Sequence, residues 1–203
     1  MPALTAAYRQ ANLALRAGTV RDLQRLWPLL RWHELDASFP SLLAAVSALV
    51  ERDRQRAEAV SGAYLDAARQ AQGVGGRATL VAVPPLPADQ LAASLHSTTV
   101  APVKRAASVG VGEQQAMANG FVQASGSVSR LVLDAGRAAV LASVRADSAR
   151  WERVASGAAC RFCLELAGRG AVYSSDTADF RSHDHCVCSA EPAYTATRFA
   201  RVA

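Results

Sequence analysis

Four cysteines confined to 29 residues, with two histidines among them, constrain this 203-residue chain more than any other feature. Cys160-Arg-Phe-Cys163 is followed, after 19 residues, by His183-Asp-His185-Cys186-Val-Cys188, and the preceding 159 residues contain no cysteine. A Cys-x2-Cys turn sets two thiolates on one side of a tight loop, and a second pair from a later loop completes a tetrahedral site. His183-x2-Cys186 has that spacing. Zinc is the default ion for mixed sulfur and nitrogen ligands without redox chemistry. Six donors exceed four positions; the favoured set is Cys160, Cys163, His183 and Cys186, with Cys188 as first substitute. Disulfide pairing and buried reduced thiols are the competing readings, and neither needs the interleaved histidines. A structural site is favoured over a catalytic one. A catalytic zinc keeps an open position and recruits a carboxylate, and Glu165 and Asp184 are equally suited to a solvated surface. The last 50 or so residues carry few large apolar side chains, so a metal would supply folding free energy directly.

Upstream the chain reads as helix. Alanine contributes 44 residues and aromatics only 6%, a composition that favours helices over sheet. Leu4 to Ala17 is expected to form one helix ending at Gly18, with Thr19 capping a second. Leu23, Leu26, Trp27 and Leu30 mark its apolar face, and Pro28 predicts a kink or a fresh start. Ser38-Phe39-Pro40 marks the next start, and residues 41–72 read as a long amphipathic helix stopped by Gly73-Val74-Gly75-Gly76. Residues 78–83 suit a short strand closed by Pro84-Pro85-Leu86-Pro87, and Asp89 suits an N-cap. Two further helices are expected at 112–125 and 127–146. Arg150 to Val154 alternates as a strand, and Ala171-Val172-Tyr173 is a second strand candidate. The expected organisation is a helical region at 1–76, a Pro/Gly-rich connector at 77–89, a helical region at 90–148 and a Cys/His zinc-binding module at 149–203. The fold class is a mainly α N-terminal region with a small α+β zinc-stabilised C-terminal module.

No window approaches the ~20 apolar residues of a membrane-spanning helix. Arg9 interrupts the N-terminus before a signal-peptide apolar region develops, so the chain reads as soluble and unexported. The formal charge of +5 rests on 21 arginines and one lysine, and the pI is about 9.4. The arginines are interleaved with acids, as in Glu51-Arg52-Asp53-Arg54-Gln55-Arg56, which is the pattern of a solvated helix face. Nucleic-acid binding is permitted by Arg150, Arg153, Arg161, Arg169 and Arg181 around the cluster, but Phe162, Tyr173 and Phe180 make a thin stacking platform.

The residues from 150 to 194 resemble a known family. Cys160-x2-Cys163, Leu166-Ala-Gly-Arg-Gly170-Ala-Val-Tyr173-Ser, His183-Asp-His185-Cys186-Val-Cys188 and Glu191-Pro192 are similar to the C-terminal signature of Mu F-like phage head-morphogenesis proteins, above all the minor capsid proteins of actinobacterial tailed phages. Ser182 departs from the pattern, which has an aromatic residue before the histidine. Trp27-Pro28-Leu29-Leu30 and Trp32 resemble the N-terminal part of such proteins. The resemblance implies a virion protein in multiple copies, present in the host cytoplasm during assembly. It also implies contacts to portal or major capsid protein, with DNA as a further partner, and a role in prohead assembly or DNA packaging and delivery. Members of this group are often labelled capsid maturation proteases. A protease here would draw its histidine from His183 or His185 and its nucleophile from Ser174 or Ser175, because His33 and His96 read as ordinary helix-surface residues. The non-enzymatic reading is favoured, with a nucleic-acid-binding zinc module as a further alternative.

Overall fold

The computed structural model describes residues 1–174 and 179–195. Three long helices carry the architecture: α1 (Pro2–Leu26), α2 (Leu35–Ala71) and α5 (Glu113–Ala146). Two short helices, α3 (Ala88–Thr98) and α4 (Val100–Ser108), cover one end of the α2–α5 pair. Strand β1 (Arg150–Val154), helix α6 (Arg161–Ala167) and strand β2 (Ser189–Ala193) form the C-terminal part. The chain is thus mainly helical with a small two-stranded sheet beside the Cys/His cluster, as the sequence led us to expect. Among the described residues no helix is long and apolar enough to cross a membrane.

Helix α2 is amphipathic at helical spacing: Leu42, Val46, Leu49 and Val50 are buried against Leu95, Val100, Val103, Val128 and Leu131. Further along, Leu65 joins Val140, Val144 and Trp151 in a second cluster that ties the sheet to the helices. At the far end α2 stops where expected. The Gly73 N–H donates to the Gln70 carbonyl and the Val74 N–H to the Arg69 carbonyl, with Gly73 at φ 72°. This is the paired-bond C-cap that glycine makes accessible.

Several local expectations are corrected. α1 runs unbroken through Gly18, and Thr19 caps nothing: its buried hydroxyl lies 2.8 Å from the buried Asp53 carboxylate of α2. Pro28 does end α1, and the chain passes through a 3-10 turn at Trp27–Leu29. α2 begins at Leu35, upstream of the expected start, and absorbs Pro40 in its second turn at the loss of one backbone bond. Ser38 instead accepts the Arg31 N–H across the preceding turn. Residues 78–83 form no strand, because helices flank them and offer no edge. Their N–H groups go to carboxylates, Ala78 to Asp66 and Thr79 to Asp147. Asp89 lies in the first turn of α3 rather than at its N-cap, which is Pro87.

The two helices expected on either side of Gly126 are one, α5. Its glycines are points of close approach rather than breaks. A Cβ at Gly136 would lie 2.7 Å from Ser61 Oγ and 3.1 Å from the Ala57 carbonyl of α2. At Gly120 it would meet Val103 at 2.6 Å, and at Gly126 the His185 ring at 2.5 Å.

β1 occupies the predicted residues and pairs antiparallel with β2, Trp151 opposite Pro192 and Arg153 opposite Ala190. The candidate strand at 171–173 contributes only a single bridge from Tyr173 to Trp151. β2 was not anticipated. Its outer edge is held by Gln72, the C-cap residue of α2, which donates to the Pro192 carbonyl and accepts the Tyr194 N–H. Its Glu191 carboxylate, 2% exposed, accepts hydroxyls from Tyr64, Thr5 and Ser189.

Candidate metal centre

The cluster is assembled from two loops that β1 and β2 bring side by side. After β1 the chain turns into α6 with Cys160 as its N-cap residue, in extended conformation, and Cys163 in the first turn. That geometry is why a two-residue spacing places both sulfurs together: one precedes the helix and the other sits a turn in, on the same side. The second loop makes a turn in which the Cys186 N–H donates to the His183 carbonyl at 3.0 Å. Its third residue, His185, sits at φ 63°. Cys188 follows after Val187 and leads into β2.

The sulfurs and the imidazole converge. Cys160 Sγ lies 3.2 Å from His183 Nε2, Cys163 Sγ lies 3.9 Å from the same nitrogen, and Cys163 Sγ lies 3.9 Å from Cys186 Sγ. Donor atoms within 4.8 Å of one another form two groups that share Cys163: Cys160, Cys163 and His183, and Cys163, Cys186 and Cys188. Tetrahedral zinc with ordinary bond lengths places sulfur atoms about 3.8 Å apart and sulfur and nitrogen about 3.5 Å apart. The spacing within each group of three is that of a zinc-sized ion, while the four favoured residues are divided between the two groups, Cys186 joining Cys160 and His183 only through Cys163. All four cysteines are free thiols, with Cys160 exposed and Cys163, Cys186 and Cys188 buried.

Local electrostatics differentiate the thiols. The Cys163 backbone N–H, with His183 beyond it, lowers the pKa of Cys160, whereas burial raises that of Cys163. The neighbouring Cys186 and Cys188 thiols act on each other, which pushes Cys186 up to about 12 and brings Cys188 down to about 6. A hydrogen bond from the ring Nδ1 to the Asp184 carbonyl, 2.8 Å long, raises the pKa of His183. In the neutral ring that same bond puts the proton on Nδ1 and leaves Nε2 as the lone-pair donor facing the sulfurs.

The second loop lies along one stripe of α5. Gly126, Arg130, Asp134 and Arg137 recur at three- and four-residue spacing and so share a face. The His185 ring rests on Gly126. Arg130 donates to Asp184 at 2.8 Å, and Ser182 donates to Asp134 at 2.7 Å. Arg137, 4% exposed, spans the loop: Nη2 donates to the Cys186 carbonyl at 2.8 Å and Nε to the Cys188 carbonyl at 3.0 Å. Its remaining nitrogen pairs with Asp134 at 2.6 Å. None of the expectations from sequence included this stripe, although a glycine and three charged residues on one face of the helix are its signature.

The remaining candidates lie elsewhere or are already engaged. Asp184 pairs with Arg130 and Glu165 with Arg169, so neither carboxylate is turned to the cluster. His185 Nδ1 lies 3.4 Å from Arg16, and His183 is committed to Cys160 and Asp184. His96 packs edge-on against Phe39, and His33 lies in the 3-10 turn Trp32–Glu34. Ser175 is outside the described residues. Arg153, counted above with the surface arginines, is buried at 2% exposure and unsuited to phosphate contact.

Comparison with curated proteins and with solved structures returned no match. The VG15 protein family model matches residues 2–202, the helical part and the Cys/His cluster alike. With nearly its whole length matched, the chain belongs to the VG15 protein family, a family of viral gene products.

Proposed function

We propose that this chain is a minor head protein of a tailed phage. It acts in prohead assembly or in DNA packaging and delivery, and its Cys/His cluster holds a structural zinc ion. The ligands are Cys160, Cys163, His183 and Cys186, with Cys188 the first substitute. One observation carries the metal reading: thiols and an imidazole from two loops meet at near-ligand distances around Cys163, without a disulfide. When bound, the ion supplies a cross-link between the α6 loop and the loop before β2. The protein's own groups do the rest. His183 is oriented by the Asp184 carbonyl, and Arg137 fixes the carbonyls of Cys186 and Cys188 to α5. Metal binding is thereby coupled to docking of the C-terminal segment on the long helices.

Family membership supports the viral part of this reading; the Mu F-like signature supports the capsid part. Portal or major capsid protein is the partner proposed, with several copies per particle, in the virion and in the host cytoplasm during assembly. The protease alternative asks His183 or His185 to serve as a base, and the ring contacts of both are directed elsewhere. Co-expression with the cognate portal and major capsid proteins tests the role. Co-purification with either and incorporation into proheads is expected. Trimming of the capsid subunit that is lost in a His183→Ala variant would instead establish the protease.

A further inference from the structure

Arg153 is the least expected residue near the cluster. It is 2% exposed, and among the described residues no carboxylate pairs with it. Its guanidinium lies 3.7 Å over the Phe180 ring and 5.9 Å from that of Phe162. Nη2 donates to the Arg181 carbonyl at 2.8 Å, Nη1 points at Cys163 Sγ at 3.4 Å, and Nε has no partner. A buried cation without a counter-charge is strongly unfavourable. Two other buried arginines are provided for differently. Arg137 pairs with Asp134, and Arg54 aims its donors at the carbonyls of Leu131 and Pro84. Of the three buried arginines among the described residues, Arg153 is the one that directs an N–H at sulfur. A neutral thiol is a weak acceptor, whereas a charged acceptor makes the bond short and strong.

We propose that Arg153 is the built-in counter-cation of the metal–thiolate centre, donating to Cys163 and balancing the charge that the bound ion leaves over. A divalent ion with three thiolates and a neutral imidazole carries one net negative charge, and Arg153 supplies one positive charge against the sulfur common to both donor groups. With four thiolates a second negative charge would remain, and Arg137 is already balanced by Asp134. Charge balance thus favours the three-cysteine, one-histidine set. Phe180 holds and covers the guanidinium through close cation–π contact, with the exposed Phe162 ring at 5.9 Å, and the burial of Arg153 strengthens its interaction with the centre. Arg153 acts through Cys163 and is a positioning residue, not a ligand. This inference rests on the metal-site reading above.

The test compares Arg153→Met, Arg153→Gln and Arg153→Lys in the full chain. Zinc affinity is measured by competition with a chromophoric chelator, and cobalt-loaded protein reports the sulfur-to-metal charge-transfer band. Outer-shell substitutions cost about 10- to 100-fold in metal affinity. The Met variant is expected in that range, the Gln variant between Met and wild type, and the Lys variant within a few-fold of wild type. The charge-transfer band should shift in Met and remain near the wild-type position in Lys. If the Met variant does not fold, the Gln–Lys comparison separates charge from hydrogen bonding in the same way. Equal affinity of the Lys and uncharged variants, or no loss in any of them, overturns the proposal. Wild-type protein that takes up no metal refutes the metal site itself, a separate result.

Discussion

Arg137 is where the cluster and the helical part of the molecule meet, so its replacement is the sharpest structural perturbation. Arg137→Met keeps much of the side chain's length and apolar stem but removes three polar contacts, along with the guanidinium's 4.9 Å approach to the Phe180 ring. The polar contacts are the bonds to the Cys186 and Cys188 carbonyls and the 2.6 Å pair with Asp134. Each bond from a charged donor contributes about 1.5–3 kcal/mol, and breaking a buried pair typically costs about 3–5 kcal/mol. The bonds share one guanidinium and do not add, so the expected loss is about 3–5 kcal/mol. Asp134 retains Ser182 and Arg130 as partners, which keeps the value from rising further. For a chain of this size about 1 kcal/mol moves the Tm by roughly 2–4 °C, so a fall of roughly 6–20 °C follows. Urea titration and thermal melting of the metal-loaded protein measure it. Arg137→Lys should recover little, because an ammonium cannot span two carbonyls and a carboxylate. A loss below about 1 kcal/mol, or full recovery by lysine, would refute the claim that this fork docks the cluster.

Other expectations follow from single contacts. Gly136→Ala should gain helix propensity of about 1 kcal/mol yet be destabilising overall, because the new Cβ meets the Ala57 carbonyl and Ser61 where α2 and α5 touch; denaturant midpoints of the two proteins decide it. Glu191→Gln should cost about 1–3 kcal/mol by leaving one of the hydroxyls of Tyr64, Thr5 or Ser189 facing an amide N–H, again read from urea titration. A hydrogen bond from Arg52 holds Asp22 below the ordinary carboxylate pKa. Its stabilising contribution is therefore complete above the unfolded value near 4 and is lost as pH falls through the lowered folded value. Asp22→Asn should accordingly narrow the stability difference between pH 7 and acid, and an unchanged difference would remove Asp22 from that account.

What the sequence disclosed was local. The Cys-x2-Cys spacing became an N-cap and a first-turn residue of α6. The glycines at 73–76 closed α2, and the alternation at 150–154 became β1. What it hid depends on distant partners. Gly18 and Gly126 look like breaks until α1 and α5 are seen packed, Gly126 under the His185 ring. Thr79-Leu-Val81 has strand propensity but no edge beside it, whereas Ser189-Ala-Glu-Pro-Ala193 has little and is a strand because β1 and Gln72 flank it. Arg153 read as a surface charge because nothing local announces that Phe180 will cover it. The five donors were legible from spacing, but their arrangement around Cys163 was not.

If the Cys/His cluster holds a structural metal ion that ties the C-terminal segment to α5, removing the ion must loosen that segment. Elemental analysis of anaerobically purified protein, followed by hydrogen exchange before and after treatment with a strong chelator, addresses it directly. One zinc ion per chain is expected, with its removal exposing the amides of residues 160–167 and 183–193 while the core of α2 and α5 stays protected. Metal-free protein with the same protection in β1 and β2 would contradict it.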